Sequence, residues 1–416
     1  MDYFIARQPI LDHKLRNIGY ELLFRSGTHN AFTYPDIDHA SRSVIADSSL
    51  LFGLRTLVEN KLAYFNVTRE VLLSGHATIL PADQVVVEIM ETVSADPAVL
   101  AALVSLRERG YTIALDDFVD NEGTAPLIPH VQIIKLDFLA STEEERQHII
   151  KRWRRRGLRF LAEKVETEAA VEEAQNLGCS LFQGYFFSKP IIVRGRDLGG
   201  AKLQYLRLLQ QVQRPELDFE DLEQVVKHDL SVSYKLLRYT NSAAFGFRRE
   251  IRSLQESLRL LGEREVRKVL SLILLTALGR DRPEQLITDS VVRARFCEEL
   301  APSLGLRTRA QDLFLLGMFS MIDAVVGRPM DEVLTELPIA ADLKDALLGT
   351  GGELRSVLDF VVAYERGEWE RLEDVRSELS LSKDDGPEAH LKAVAWSQES
   401  LHATNEDTGG FERRLA

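Results

Sequence analysis

The sequence predicts an α/β barrel in its first half and an all-α body in its second, on three observations. Eight short β-rich runs alternate with amphipathic helical stretches from Tyr3 to about Pro190. Such alternation implies a parallel sheet, and eight repeats within that length fit a compact TIM-like (β/α) barrel. After Gly200 the alternation stops, and helical periodicity runs from Lys202 to about Arg371. With 416 residues, the chain is long enough for two bodies, each with its own core.

The strand-like runs, in order, are FIARQPI, YELLF, AYFNV, VVVEI, TIALDD, QIIKLDF, RFLAEKV and LFQGYFF. Between them, PAVLAALVSLRERG and EAAVEEAQNLG carry the helical pattern and close on Gly110 and Gly178, as C-terminal caps would. The barrel is assigned residues 1–198 and the helical body 199–372. Residues 373–416, rich in Ser, Glu, Asp and Gly, read as an acidic, loosely ordered tail with a helix around His390–Leu401.

Composition excludes several function classes. The start, MDYFIARQPILD, has no basic stretch followed by an apolar core, so a secretory signal is not expected. The longest apolar run, Val269–Leu278, is broken by Ser271 and Thr276 and falls well short of a bilayer span. Cys179 and Cys297 lie too far apart for metal-ligand spacing, which fits a reduced, cytoplasmic protein. A net charge of −13 argues against a broad nucleic-acid footprint.

Every strand-like run carries a polar residue, most of them near its C-terminal end: Gln8, Glu21, Asn66, Glu88, the pair Asp116–Asp117, Lys135, Glu163 and Gln183. One polar strand end is an ordinary solvated loop junction. Repetition on every strand instead points to the barrel face where active sites sit. So many carboxylates in one mouth require cations. Oxygen donors from Glu, Asp and Asn suit Mg²⁺ or Mn²⁺, while the histidines show no zinc-like spacing. Asp116 and Asp117 can bridge two ions or be divided between them, an arrangement suited to phosphodiester hydrolysis. Lys135 can hold the attacking water or neutralise charge on the phosphate, and Glu163 is placed to act as general base.

These motifs, QPI, YELLFR, FNVT, EIME, LDDF, IKLD, AEKVET and QGYFFSKP, resemble the EAL family of cyclic di-GMP phosphodiesterases in order and spacing, from about Tyr3 to Pro190. The name-giving motif reads Glu21-Leu22-Leu23 here. The resemblance implies Glu21, Asn66, Glu88 and Asp116 as metal ligands, with Asp117 serving a second ion. It further implies Lys135 and Glu163 at the catalytic water, and Gln8, Arg25 and Gln183 at the nucleotide. Asp137 and Glu166 also match the family pattern, without an assigned role. Two departures stand out. Where the family reads DDFGTGYSS, this chain has Val119–Ala125 after its Asp-Asp-Phe. That family loop couples metal and substrate binding to dimerisation, anchored by the residue that is Glu91 here, so the resemblance leaves a homodimer open. In the AEGVET run, Lys164 replaces the usual glycine, and its side chain either approaches the carboxylates or points away.

In the second half, LLRYTNSAAFG and IRSLQESLRLLG resemble the HDOD domain, related to the HD phosphohydrolases, to about Trp369. His228-Asp229 looks like a metal-binding doublet but falls where HDOD sequences turn between helices. The stretch matching the true doublet, Gly317–Asp323, holds Ser320 and Met321, which cannot supply a metal site. This half is therefore expected to signal to a protein partner rather than to catalyse. Of the basic runs, Lys151–Arg156 reads as a solvated barrel helix paired with Glu143–Glu145, and Arg248, Arg249 and Arg252 as a candidate partner surface. Two functions stay open: a phosphodiesterase converting cyclic di-GMP to pGpG, for which the kept ligands speak, and a non-catalytic cyclic di-GMP receptor, for which the altered loop speaks. A pure protein adaptor is disfavoured by the strand-end carboxylates. Neither a membrane nor nucleic acid is expected as a partner.

Overall fold

The computed structural model describes residues 3–26, 54–154, 157–184, 200–214, 216–242, 249 and 251–405. The chain separates into two compact units, Met1–Lys189 with Val362–Asp374, and Pro190–Val361 with Val375–Ala416.

The first unit contains a closed eight-stranded barrel. Its strands are β1 (Tyr3–Asp12), β2 (Asn17–Ser26), β3 (Leu62–Val67), β4 (Val85–Ile89), β5 (Thr112–Leu115), β6 (Ile133–Asp137), β7 (Arg159–Glu163) and β8 (Leu181–Phe182). The expectation of a parallel sheet holds from β2 to β8 and fails at β1, which pairs antiparallel with both β2 and β8. The cause is local. Asp12 Oδ1 accepts the backbone N–H groups of Lys14 (2.8 Å) and Arg16 (3.0 Å), folding a turn too short for a crossover.

Among the outer helices, α1 (Pro97–Glu108) is capped by the Asp96 side chain and α2 (Glu143–Trp153) by a Thr142–Glu145 capping box. α3 (Glu168–Leu177) ends on left-handed Gly178. The basic end of α2 is not merely solvated, since Arg152 Nη1 (2.9 Å) and Trp153 Nε1 (3.2 Å) both reach Asp120 Oδ2 in the loop after β5.

The barrel floor is a buried hydrophobic cluster of Ile10, Tyr64, Val86, Ala114, Ile133, Leu161 and Leu181. Two residues further along the chain, six of these seven are followed by a polar residue: Asn66, Glu88, Asp116, Lys135, Glu163 and Gln183. Side chains two apart on a strand share a face, so the polar residues form a second layer above the floor. Because β1 runs the other way, Gln8 joins that layer by preceding Ile10 rather than following it, opposite Glu21 in the register.

The second unit is helical. Its long stretch Leu254–Leu278 breaks at Gly262 and packs against helices Gly200–Val212 and Leu230–Thr240. Helix Glu284–Leu300 packs against Ala310–Phe319, where Gly317 is required: a Cβ there would lie 2.4 Å from the Arg293 carbonyl oxygen. Asp229 caps helix Leu230–Thr240 through the N–H groups of Ser231 and Val232, which accounts for the His228-Asp229 doublet. Ser320 donates to the Gly317 carbonyl (2.7 Å) and accepts from Arg293 (2.9 Å). Arg249 pairs with Glu256; Arg248 and Ala243–Gly246 lie outside the described residues.

A loosely ordered tail does not describe residues 373–405. Helix Trp369–Glu378 crosses its expected start, and helix Asp385–Asn405 packs on Glu284–Leu300 with Ala393 and Val394 buried. The polar composition conceals these apolar residues, which suffice for a docked helical face. Among the described residues, no helix is long and apolar enough to cross a membrane.

Candidate functional site

Lys135 lies at the centre of the polar layer and is wholly buried. Its Nζ stands 2.7 Å from Asp116 Oδ1, 2.7 Å from Glu163 Oε1, 2.9 Å from Glu88 Oε1 and 3.3 Å from Glu21 Oε2. Acidic side chains from four strands and their ends thus converge on one ammonium, leaving an excess of acidic groups. Glu21 is further held by Asn66 Nδ2 (3.0 Å) and Gln183 Nε2 (2.7 Å), and Gln183 also donates to Gln8 Oε1 (3.0 Å).

These contacts set the protonation of each carboxyl. Burial would raise the Glu21 carboxyl, but Lys135 with the Gln183 and Asn66 hydrogen bonds prevails and holds it below its ordinary value. For Glu88, burial wins: Lys135 opposes it, while the neighbouring carboxylates reinforce it, and the group lies well above the usual range. Glu163 is likewise raised well above its ordinary value by burial, and Asp116 is raised for the same reason. Burial would lower the Lys135 ammonium, yet Glu163, Glu21, Glu88 and Asp116 together drive it well up.

Asp116, Asp117 and Glu163 bring carboxylate oxygens within 4.8 Å of one another. Glu163 Oε2 and Asp117 Oδ1 are buried atoms without a hydrogen-bond donor. The Lys164 side chain turns toward the carboxylates: its Nζ is 3.5 Å from Asp117 Oδ2 and pairs with Asp137 Oδ2. Asp137 Oδ1 accepts the N–H groups of Leu139 (2.7 Å) and Ala140 (2.8 Å), so this residue shapes the turn after β6 as well as holding Lys164.

The layer opens into a cleft of about 440 Å³ lined by Gln8, Asp117, Glu163, Lys164, Glu166 and Gln183, among others. Arg366 and Glu368 also line it, and Gln8 Nε2 donates to the Arg366 carbonyl at 3.3 Å. No local sequence pattern marks these two residues, which meet Gln8 only through tertiary structure. Arg25 is on β2, but its side chain lies outside the described residues. Glu91 is exposed, and the loop after β5 is tied elsewhere: Ala95 N–H donates to the Gly123 carbonyl (2.8 Å), and Asn121 Oδ1 accepts from Gly123 (2.8 Å) and Thr124 (3.1 Å).

Comparison with known proteins agrees with both halves. Residues 64–190 match the EAL domain model and residues 203–330 the HDOD domain model. Cyclic di-GMP phosphodiesterase CdgJ of Vibrio cholerae is 34% identical over 399 residues, which cover 95% of this chain and 92% of that protein. Protein YuxH of Bacillus subtilis is 33% identical over 411 residues, 97% of this chain and all of the other. Among solved structures, an EAL domain protein from Listeria monocytogenes is 20% identical, with a TM-score of 0.36, covering 45% of this chain and 87% of its own. Two relatives this similar along nearly their whole length, together with the EAL and HDOD models matched in turn along this chain, place the chain in the EAL–HDOD family of cyclic di-GMP signalling proteins.

Proposed function

We propose that this chain hydrolyses cyclic di-GMP at the barrel mouth, opening one phosphodiester bond to give linear pGpG. One observation carries the reading: a ring of acidic side chains outnumbers the single Lys135 ammonium and leaves Glu163 Oε2 and Asp117 Oδ1 buried without donors beneath an open cleft. That donor set fits a hard divalent cation. Glu21, Asn66, Glu88 and Asp116 would hold Mg²⁺ or Mn²⁺, with Asp117 at its edge. Such an ion lowers the pKa of water and offsets charge on the phosphate.

The protein's own groups account for the remaining chemistry. Glu163, raised well above its ordinary value by burial, accepts the proton of the attacking water in its ionised form. The water oxygen bonds to phosphorus, the P–O3′ bond breaks, O3′ takes up a proton, and the product keeps a 5′-phosphate. Lys135 fixes the carboxylates and keeps Glu163 aimed into the cleft. Gln8 and Gln183, hydrogen-bonded to each other, and Arg25 hold the nucleotide. The HDOD half then conveys the occupied state to a protein partner. The name of the Vibrio cholerae relative supports the substrate.

The second reading, a receptor that binds without cleaving, is favoured by the Lys164 contact with Asp117. Calorimetry with cyclic di-GMP in Ca²⁺, then product analysis in Mg²⁺ and Mn²⁺, separates the two. Binding followed by pGpG formation is expected. Binding without product would leave the receptor standing, and no binding would remove both.

A further inference from the structure

We infer that Arg366 and Glu368, on the turn that ends helix Glu353–Arg366, read a guanine base of the nucleotide in the barrel cleft, a selectivity that rests on the cyclic di-GMP reading above.

The turn belongs to the segment Val362–Asp374, which groups with the barrel residues although it lies far beyond β8 in sequence. The helix stops at Gly367, whose φ of 66° lies in the left-handed region. The Gly367 N–H donates to the Tyr364 carbonyl (3.1 Å) and the Glu368 N–H to the Ala363 carbonyl (2.9 Å), the paired bonds of a Schellman cap. A Cβ on Gly367 would come 3.2 Å from Leu23 Cδ1, so the turn lies close against β2. The Arg366 carbonyl accepts from Gln8 Nε2 (3.3 Å), Gln8 Oε1 accepts from Gln183 (3.0 Å), and Gln183 donates to Glu21 (2.7 Å). Two side-chain amides thus tie the turn to the polar layer and fix where its side chains enter the cleft.

Arg366 and Glu368 both line that cleft, and Arg366 Nη1 meets Glu368 Oε1 at 3.3 Å in a partly exposed pair. Such a pair contributes little by itself, so a ligand that satisfies both groups displaces it at small cost. A phosphate would suit the guanidinium but be repelled by the carboxylate beside it. A guanine edge suits both: O6 and N7 accept from Arg366, while N1–H and the N2 amino group donate to Glu368. Adenine would set its N6 donor against the guanidinium and its N1 acceptor against the carboxylate.

Calorimetry on the full chain in Ca²⁺ compares cyclic di-GMP with its inosine analogue, cyclic di-IMP, which lacks only the N2 amino groups. The wild type is expected to prefer cyclic di-GMP. Glu368→Ala should lose about tenfold in affinity for cyclic di-GMP, the scale of a hydrogen bond to a charged group, and clearly less for cyclic di-IMP. Arg366→Ala should weaken both ligands alike, since both keep O6 and N7. Circular dichroism and Mn²⁺ affinity should be unchanged in both variants, which separates base reading from damage to the polar layer. If Glu368→Ala disturbs the fold, Glu368→Gln carries the same comparison, because its amide accepts from one guanine donor and opposes the other. Equal losses of the two ligands on replacing Glu368, no loss, or a wild type indifferent to the N2 amino groups would overturn the inference and leave the cyclic di-GMP reading intact. A wild type that binds no cyclic di-GMP would overturn both.

Discussion

At the residue scale, the mouth is governed by the competition of several acids for one buried base. Glu88 and Glu163 are raised well above the ordinary carboxylate range, so without metal they hold protons to higher pH than exposed carboxyls do. A divalent ion binds the deprotonated form and must expel those protons. Mn²⁺ affinity should therefore rise as pH climbs above the ordinary carboxylate range, with proton release visible as a buffer-dependent enthalpy in calorimetry. A flat affinity profile would contradict this assignment. The same sign applies to stability. A carboxyl raised in the fold costs stability as pH climbs through and above its ordinary value, because the unfolded chain ionises more easily. Glu88→Gln should remove part of that cost, leaving the metal-free Tm unchanged or higher while weakening Mn²⁺ at least tenfold, about 1.4 kcal/mol. Unchanged Mn²⁺ affinity would exclude Glu88 as a ligand.

At the element scale, the strand ends do the positioning, and a glycine next to β8 limits what can change there. Gly184 has a φ of 153°, and a Cβ on it would fall 2.3 Å from both the amide nitrogen and the carbonyl oxygen of Val165. Backbone cannot yield as a side-chain tip can. Gly184→Ala should cost about 2–4 kcal/mol in denaturant unfolding and loosen Gln183, with nucleotide affinity falling in parallel. A loss under about 0.5 kcal/mol would mean that the β7–β8 junction relaxes freely. The period-two rule made much of this layer legible in sequence. Asn66 above Tyr64, Glu88 above Val86 and Lys135 above Ile133 repeat one spacing that any strand would honour. The reversed β1 was not legible from alternation, because its direction is fixed by hydrogen bonds from Lys14 and Arg16 to one aspartate. The aim of Lys164 was equally hidden, since it depends on a single left-handed backbone angle. Arg366 and Glu368 reach the cleft only through long-range tertiary structure, which no local pattern reports. The helix through Ala393 and Val394 was legible around His390–Leu401, but its full extent and its docking were masked by its polar neighbours.

At the scale of the whole molecule, the carboxylate ring among the described residues lies in the barrel half. In the other, Arg293 and Ser320 occupy each other where a metal-binding doublet would be needed, and Met321 offers a thioether to no hard cation. The full chain with Glu163→Gln should therefore lose turnover by about 10²–10⁴-fold, the usual scale for removing a general base, while binding cyclic di-GMP nearly as well. Metal-dependent hydrolysis persisting near the wild-type rate in that variant would locate catalysis elsewhere in the chain. The closing seam of the barrel has a consequence in time. Leu11 and Asp12 pair with Phe182 and Leu181, which are synthesised about 170 residues later. At ribosomal speeds of about 5–20 residues per second, β1 waits roughly 10–30 s for its partner strand. Throughout that interval the growing sheet has an unpaired edge and an open apolar floor, the state in which nascent chains aggregate. Chaperone demand during synthesis should therefore peak before β8 leaves the exit tunnel and fall once it emerges.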